Sequence, residues 1–268
     1  AEVPFAVPPA DERPARLSSV LSVLYLIFTE GSTATSGEQW IRPDLAFEAI
    51  RLTRVLAQLM PREPEVQGLL ALLELTAARF PARVGADGTP VLLENQDRRH
   101  WDRSAIARGR AALAQAGRSG RGLGPFGLQA AIAECHAVAP SVTETNWSRI
   151  VVLYDALSRI PPSPVVELNR AVAVSMADGP DAALPLVDDL LARGSLTGSH
   201  LLPAVRGELL NRLGRTEEAR AEFGRAIELC RNEAERAVLR SKIARADRGG
   251  WPATRASGSA APRPGPAR

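Results

Sequence analysis

The chain has 268 residues, of which 45% are hydrophobic, 4% aromatic and 24% charged, enough apolar material for one large globular domain or two modest ones. Its two cysteines show no disulfide or zinc-ligand spacing, and the apolar run at 20–28 is far too short to span a membrane. These features exclude a disulfide-rich secreted protein and predict a reducing, cytoplasmic environment.

The formal net charge of +3 comes from the end of the chain. Residues 247–268 carry four arginines and one aspartate, so residues 1–246 hold 33 − 4 = 29 basic and 30 − 1 = 29 acidic residues. A nucleic-acid surface needs a clustered basic face and aromatic groups for stacking. We therefore expect no direct nucleic-acid binding by this segment. The Gly-, Pro- and Ala-rich residues 247–268 are predicted to be a disordered tail.

Hydrophobic residues recur at helical spacing through almost the whole chain. Residues 1–10 are interpreted as a connector, and residues 11–160 as a helical domain whose pattern breaks in an irregular segment at 84–103. Prolines mark several predicted helix starts, because proline fits the first helical turn. Outside the C-terminal hairpin, helices are predicted at 14–30, 43–60, 64–81, 101–116, 125–139, 144–160, 164–177, 181–193 and 232–245.

Residues 161–246 are predicted to form tetratricopeptide-like repeats and a capping helix. Small residues let paired helices touch, an aromatic fills the gap, and glycine permits the turn. The residues with this spacing are Gly207, Gly214, Ala219, Phe223 and Ala226. A second turn glycine, Gly179, lies 214 − 179 = 35 residues earlier, close to the tetratricopeptide period of about 34. The predicted fold class is all-α, with stacked antiparallel hairpins forming a solenoid in the C-terminal half.

One polar cluster stands out in the irregular segment. It is a candidate for either an interaction surface or a network that joins this segment to the adjoining helices. Its members are Gln96, Asp97, Arg98, Trp101 and Asp102. His100 lies within the same run, so an enzyme or small-ligand sensor that uses residues 94–102 is a distant alternative.

A second polar pair, Asn169 and Arg170, interrupts an apolar helix. In a helical solenoid such residues either cap a loop or face a concave groove, and the sequence leaves both roles open. No phosphate-binding loop, nucleophile elbow or metal-ligand spacing occurs in the chain. The sequence therefore predicts no enzyme, no cofactor and no metal site.

Several stretches, in order along the chain, carry a resemblance to a known family. They include VLSVLYLIFTEG at 20–31, RPDLAFEAIRLTRVLA at 42–57, PVLLENQDRRHWDR at 90–103, GPFGLQAAIAECHA at 124–137 and HLLPAVRGELLNRLGR at 200–215. Together they resemble the tetratricopeptide-like C-terminal extension of bacterial extracytoplasmic-function (ECF) RNA polymerase sigma factors. The resemblance covers nearly all of residues 1–246.

The resemblance implies a regulatory, protein-interaction domain that acts in transcription initiation. Its implied partners are the promoter-reading sigma domains in cis, core RNA polymerase, or both, with no membrane involved. Family members carry two promoter-reading domains that this chain lacks, and the chain begins at Ala1, so we interpret it as a C-terminal piece of such a protein. The alternative is a stand-alone helical-repeat scaffold for protein interactions.

Overall fold

A computed structural model of the chain describes residues 9, 11–32, 41–85, 88–120, 122–160 and 162–246. In this part of the chain the secondary structure is helical, apart from an isolated antiparallel bridge between Val84 and Pro90. The predicted all-α fold class is confirmed. The α-helices are α1 Arg13–Ser32, α2 Pro43–Leu59, α3 Pro64–Ala77, α4 Arg103–Gly117, α5 Pro125–Val138, α6 Trp147–Ser158, α7 Pro164–Ala177, α8 Pro180–Ala192, α9 Leu201–Arg212, α10 Thr216–Leu229 and α11 Glu233–Ala246.

Some predictions fall outside the described residues. These are the connector at 1–10, except residue 9, and the tail at 247–268. The predicted boundary between a helical domain at 11–160 and repeats at 161–246 stays a prediction. The helices on either side of it, α6 and α7, pack directly against each other. None of the helices in the described ranges is both long and apolar enough to cross a membrane.

Helix starts follow local sequence chemistry. Proline occupies the first turn of five helices, where its missing N–H costs no hydrogen bond. Asp102 caps α4 by accepting a hydrogen bond from the Ala105 N–H at 3.0 Å, so that helix begins at Arg103 rather than at the predicted Trp101. The irregular segment that precedes it contains two short 3-10 helices, Leu93–Asn95 and Arg98–His100.

The helices form a stack in which successive helices pack against each other, and α3 contacts α4 and α5 as well as α2. Buried apolar side chains continue from one helix layer to the next along the stack. They include Phe28 in α1, Leu73 in α3, Ile150 in α6, Leu168 in α7 and Phe223 in α10. The core is therefore a chain of adjoining clusters, as expected of a solenoid.

Two hairpins at the C-terminal end form the tetratricopeptide-like part of the stack. Their turns contain Gly179, with φ of 99°, and Gly214, with φ of 75°, a region that favours glycine. Ala219, Phe223 and Ala226 are fully buried in one core cluster. A Cβ on Gly207 would lie 2.8 Å from the Phe223 ring, so the aromatic side chain occupies the space that this glycine leaves open.

A close backbone approach in the N-terminal half joins α3 to α5. A Cβ on Gly68 would lie 2.7 Å from the backbone N of Gly127 and 3.0 Å from its Cα. Backbone atoms cannot move aside as a flexible side chain can. Gly68 therefore sets the distance between these two helices.

We expect Gly68→Ala to lower the free energy of unfolding by about 1–3 kcal/mol, because the added methyl group must push α5 away from α3. The matched control is Gly224→Ala in α10, where a Cβ would meet no atom within 4 Å. That change should instead stabilise the protein by about 0.5–1 kcal/mol through helix propensity. Urea unfolding monitored by circular dichroism measures both, and equal effects would contradict the packing account.

Candidate functional site

A groove of about 390 Å³ opens between α2, α3 and α4. Phe47, Ile50 and Arg54 share one face of α2 at helical spacing and form one wall of the groove. Phe47 is 57% exposed, and its ring packs edge-on against Phe80 with 6.0 Å between the centroids. The lining residues are Ile41, Pro43, Phe47, Ile50, Arg54, Glu74, Ala77, Phe80, Pro81, Asp102, Ala105 and Arg108.

A buried carboxylate lies at the polar side of this groove. Glu74 of α3 is only 2% exposed, and each of its oxygens accepts hydrogen bonds from a different arginine. Arg54 of α2 donates to Oε1 at 2.6–2.7 Å, and Arg108 of α4 donates to Oε2 at 3.0–3.1 Å. A buried carboxylate needs such partners, because an unpaired charge in the interior is strongly unfavourable. The two arginines join three helices and leave about half of each side chain exposed along the groove.

The first two helices also expose apolar side chains away from the core. In α1 these are Val20, Val23 and Leu26, which recur every third residue. In α2 they include Val55 and Leu59. Exposed apolar groups that follow a helical stripe are typical of a surface that receives another element. We refer to the α1 residues Val20, Val23 and Leu26 as the outer stripe.

The predicted polar cluster around Trp101 does not line one pocket. Trp101 is 2% exposed, with the Arg98 guanidinium carbon 4.6 Å and the Arg79 guanidinium carbon 5.7 Å from its ring centroid. Arg98 also donates to the backbone oxygens of His136 and Ala139 at 2.5 and 2.7 Å. These carbonyls end α5, where a cation is favourable. Arg98 therefore fixes the irregular segment to the end of α5.

The remaining members of that cluster make mostly local contacts. Asp97 accepts hydrogen bonds from the backbone and side chain of Arg99, and these bonds hold the pKa of Asp97 well below its usual range. Gln96 is buried and donates from Nε2 to the Val91 carbonyl oxygen at 3.0 Å. Asp102 caps α4 and is the one member that also lines the groove. His100, the residue of the catalytic alternative, is exposed.

The second predicted polar pair divides between two environments. Arg170 of α7 donates from Nε to Asp155 Oδ1 of α6 at 2.5 Å, so it joins two neighbouring helices. Asn169 is exposed to solvent. Neither residue lies near the groove between α2, α3 and α4, and the structure does not bring this pair together with the Trp101 cluster.

Most groove residues were missed by the sequence analysis, although the sequence carried two signals. Phe47 is a large apolar residue three positions before the buried Ile50, at the edge of the buried face of α2. Glu74 is a carboxylate inside the apolar run GLLALLEL. A charge within such a run indicates a paired, buried group. Its partners come from helices 20 and 34 residues away, which no local pattern reveals.

Comparison with known proteins gives relatives without an assigned activity. Residues 16–117 match the profile of a family of unknown function, DUF6596. An uncharacterized protein of Rhizobium meliloti is 48% identical over 243 residues, which cover 91% of this chain and 57% of that protein. A crystal structure of a thermophilic TPR protein from Thermus thermophilus is 19% identical, with a TM-score of 0.47, over 88% of this chain and 98% of its own. The chain thus spans little more than half of the Rhizobium relative.

The titration of His136 gives a pH-dependent prediction. Burial, and then the positive charges of Arg79 and Arg98, lower the pKa of His136 to about 4 in the folded protein. The unfolded chain has the ordinary histidine pKa of about 6.5 and therefore binds a proton first as pH falls. Stability from the neutral imidazole is present above pH 6.5 and is lost towards pH 4. This group alone should remove about 3 kcal/mol over that range.

Urea unfolding between pH 7 and 4 should show a flatter pH dependence for His136→Gln than for the unaltered protein. The control is His100→Gln, which makes the same side-chain change at an exposed position. Carboxylate titration is common to all three proteins, so it cancels from the comparison. Identical curves for His136→Gln and the unaltered protein would contradict a buried, neutral His136.

Proposed function

We propose that this chain is a protein-interaction scaffold that binds a polypeptide segment in the groove between α2, α3 and α4. The observation that carries the proposal is the exposed Phe47 ring in the same groove as the Glu74 carboxylate, which is paired with Arg54 and Arg108. An exposed aromatic next to partly exposed guanidinium groups is the composition of protein-interaction hot spots. A stack of helical hairpins is also the architecture that presents extended binding surfaces.

The groove favours a ligand with both apolar and acidic groups. Phe47, Phe80 and Ile50 offer apolar area for an aliphatic or aromatic side chain. Arg54 and Arg108 line the groove and each use Nε and Nη2 on Glu74, so the N–H donors of Nη1 are not used by Glu74. An acidic side chain of the ligand would bind there without displacing Glu74. We infer a binding role rather than catalysis, because the carboxylates of the lining are committed to arginine and to a helix cap.

Phe47→Asp should weaken polypeptide binding by at least tenfold, about 1.4 kcal/mol, because it removes the aromatic anchor and adds a charge that opposes an acidic ligand. Peptides selected from a random display library on the immobilised, unaltered protein serve as probes, and fluorescence anisotropy measures their affinity. The matched control is Val152→Asp in α6, which changes a side chain that is 64% exposed elsewhere on the stack. Equal losses in both variants, or none in Phe47→Asp, would reject the groove as the binding site.

A second, finer proposal names the partner. We propose that the scaffold belongs to an ECF-type sigma factor and regulates its promoter-reading domains, through contacts with them or with core RNA polymerase. Three observations support this: the ordered sequence resemblance over 1–246, the exposed outer stripe of α1, and the length of the Rhizobium relative beyond the shared region. The outer stripe belongs to the first hairpin, where a preceding domain would meet the stack.

The Rhizobium relative allows a direct test of this second proposal. The full-length protein should support promoter-dependent transcription by core RNA polymerase. Deletion of the 243-residue shared region should change the affinity of the remaining domains for core RNA polymerase by about 5–150-fold, the usual range of coupling between binding sites, and should change the yield in the same direction. If the full-length relative directs no transcription, or if the deletion leaves the yield unchanged, the regulatory role fails. The groove could still bind a different polypeptide in that case.

A further inference from the structure

Three side chains of different kinds meet at the C-terminal end of the stack. His200 lies immediately before α9, Cys230 ends α10, and Glu235 lies in the first turn of α11. His200 Nε2 lies 3.0 Å from Glu235 Oε2, and Cys230 Sγ lies 3.5 Å from the same oxygen. The nitrogen, sulfur and oxygen atoms all lie within 4.8 Å of one another. Among the described residues, this is the one group of three potential metal ligands.

Two of the three separations between the ligand atoms match edges of a zinc coordination tetrahedron. With Zn–N and Zn–O bonds of about 2.0 Å and a Zn–S bond of about 2.3 Å, tetrahedral geometry places N and O about 3.3 Å apart and S and O about 3.5 Å apart. The observed separations are 3.0 and 3.5 Å. The third edge, between His200 Nε2 and Cys230 Sγ, lies within 4.8 Å, against about 3.5 Å in the tetrahedron, so these side chains can close on a zinc ion by moving about 1 Å or less.

The ligand chemistry and the surroundings also fit this ion. Imidazole, thiolate and carboxylate are the three protein ligands of zinc, a borderline-soft cation. A thiolate and a carboxylate together balance the charge of Zn²⁺, so the bound site is formally neutral, as partial burial requires. Cys230 is 3% exposed, whereas His200 and Glu235 keep 25% and 19% of their side chains exposed, which gives the ion a route from solvent.

We propose that His200, Cys230 and Glu235 form a zinc-binding site that fastens the capping helix α11 to the end of the last repeat. On binding, the thiol proton of Cys230 passes to solvent and the proton between His200 Nε2 and Glu235 is given up, with the imidazole bound as the tautomer protonated at Nδ1. The Zn–S, Zn–N and Zn–O bonds then replace three water ligands of the hydrated ion, and a remaining water holds the fourth position. The three ligands come from three helix ends that are otherwise joined by apolar packing, by the Lys242–Glu208 ion pair and by a hydrogen bond from Arg236 Nε to the Ile227 carbonyl oxygen. Zinc binding therefore makes the attachment of α11 to the last repeat depend on the supply of the metal.

Co²⁺ is the probe, because its tetrahedral thiolate complexes absorb visible and near-ultraviolet light. The full chain, purified under reducing conditions, should bind one Co²⁺ with a thiolate-to-cobalt charge-transfer band, and Zn²⁺ should displace it. Zn²⁺ should also raise the thermal unfolding midpoint. Cys230→Ser, His200→Gln and Glu235→Gln should each weaken Zn²⁺ binding by at least 100-fold. Each variant alters a direct zinc ligand, and loss of a residue that only supports a ligand already costs about 10–100-fold in affinity.

The second cysteine and a second histidine provide matched controls. Cys135→Ser and His136→Gln remove the same groups elsewhere on the stack and should retain the cobalt spectrum and the zinc affinity. Circular dichroism confirms that each variant is folded, and Cys230→Ala replaces Cys230→Ser if serine prevents folding. Absence of the charge-transfer band in the unaltered protein, or its retention in Cys230→Ser, would overturn the proposal. The cluster would then be a histidine–carboxylate contact beside a buried thiol.

Discussion

Close contact between helices at residues without a side chain is the constraint on which the rest of the structure depends. Gly68 of α3 meets the backbone of Gly127 in α5, and Gly109 of α4 meets Leu75 of α3. These contacts hold α3 between two neighbours at distances that a single methyl group would increase. Because α3 is fixed in this way, the side chain of Glu74 reaches arginines on both α2 and α4, and the groove acquires its polar side.

Buried carboxylates paired with arginines, here called charged clamps, occur in both halves of the stack. Glu74 binds arginines of two other helices, whereas Glu222 binds Arg206 of α9 and Arg225 of its own helix. Glu74 and Glu222 are each 2% exposed, and each is paired with two arginines. Arg206 connects Glu222 of α10 to Asp188 of α8. Apolar packing tolerates sliding of one helix along another, whereas a buried carboxylate is satisfied in one register only. In this account, small residues set the separation of the helices and the clamps set their register.

The sequence predicts the fold more fully than the site, for a physical reason. Helix periodicity, turn glycines such as Gly214 and helix-starting prolines act over a few residues, so they could be recognised locally. The groove and the His200–Cys230–Glu235 group arise from residues on separate helices, and their proximity depends on how the stack is packed. The polar run around Trp101 was recognisable in the sequence as either an interaction surface or a structural network. In the structure Arg98 binds carbonyl oxygens at the end of α5, which is a structural contact that the sequence does not reveal.

The measurement that tests the scaffold account most directly is photo-cross-linking in the source cells from position 47. A benzoyl-phenylalanine there keeps an aromatic ring in the groove, and the same residue at position 152 reports on an exposed face outside it. The account predicts a specific polypeptide adduct from position 47 and none from position 152, and mass spectrometry identifies the partner. No adduct from position 47, or the same adducts from both positions, would contradict the groove as a polypeptide-binding site.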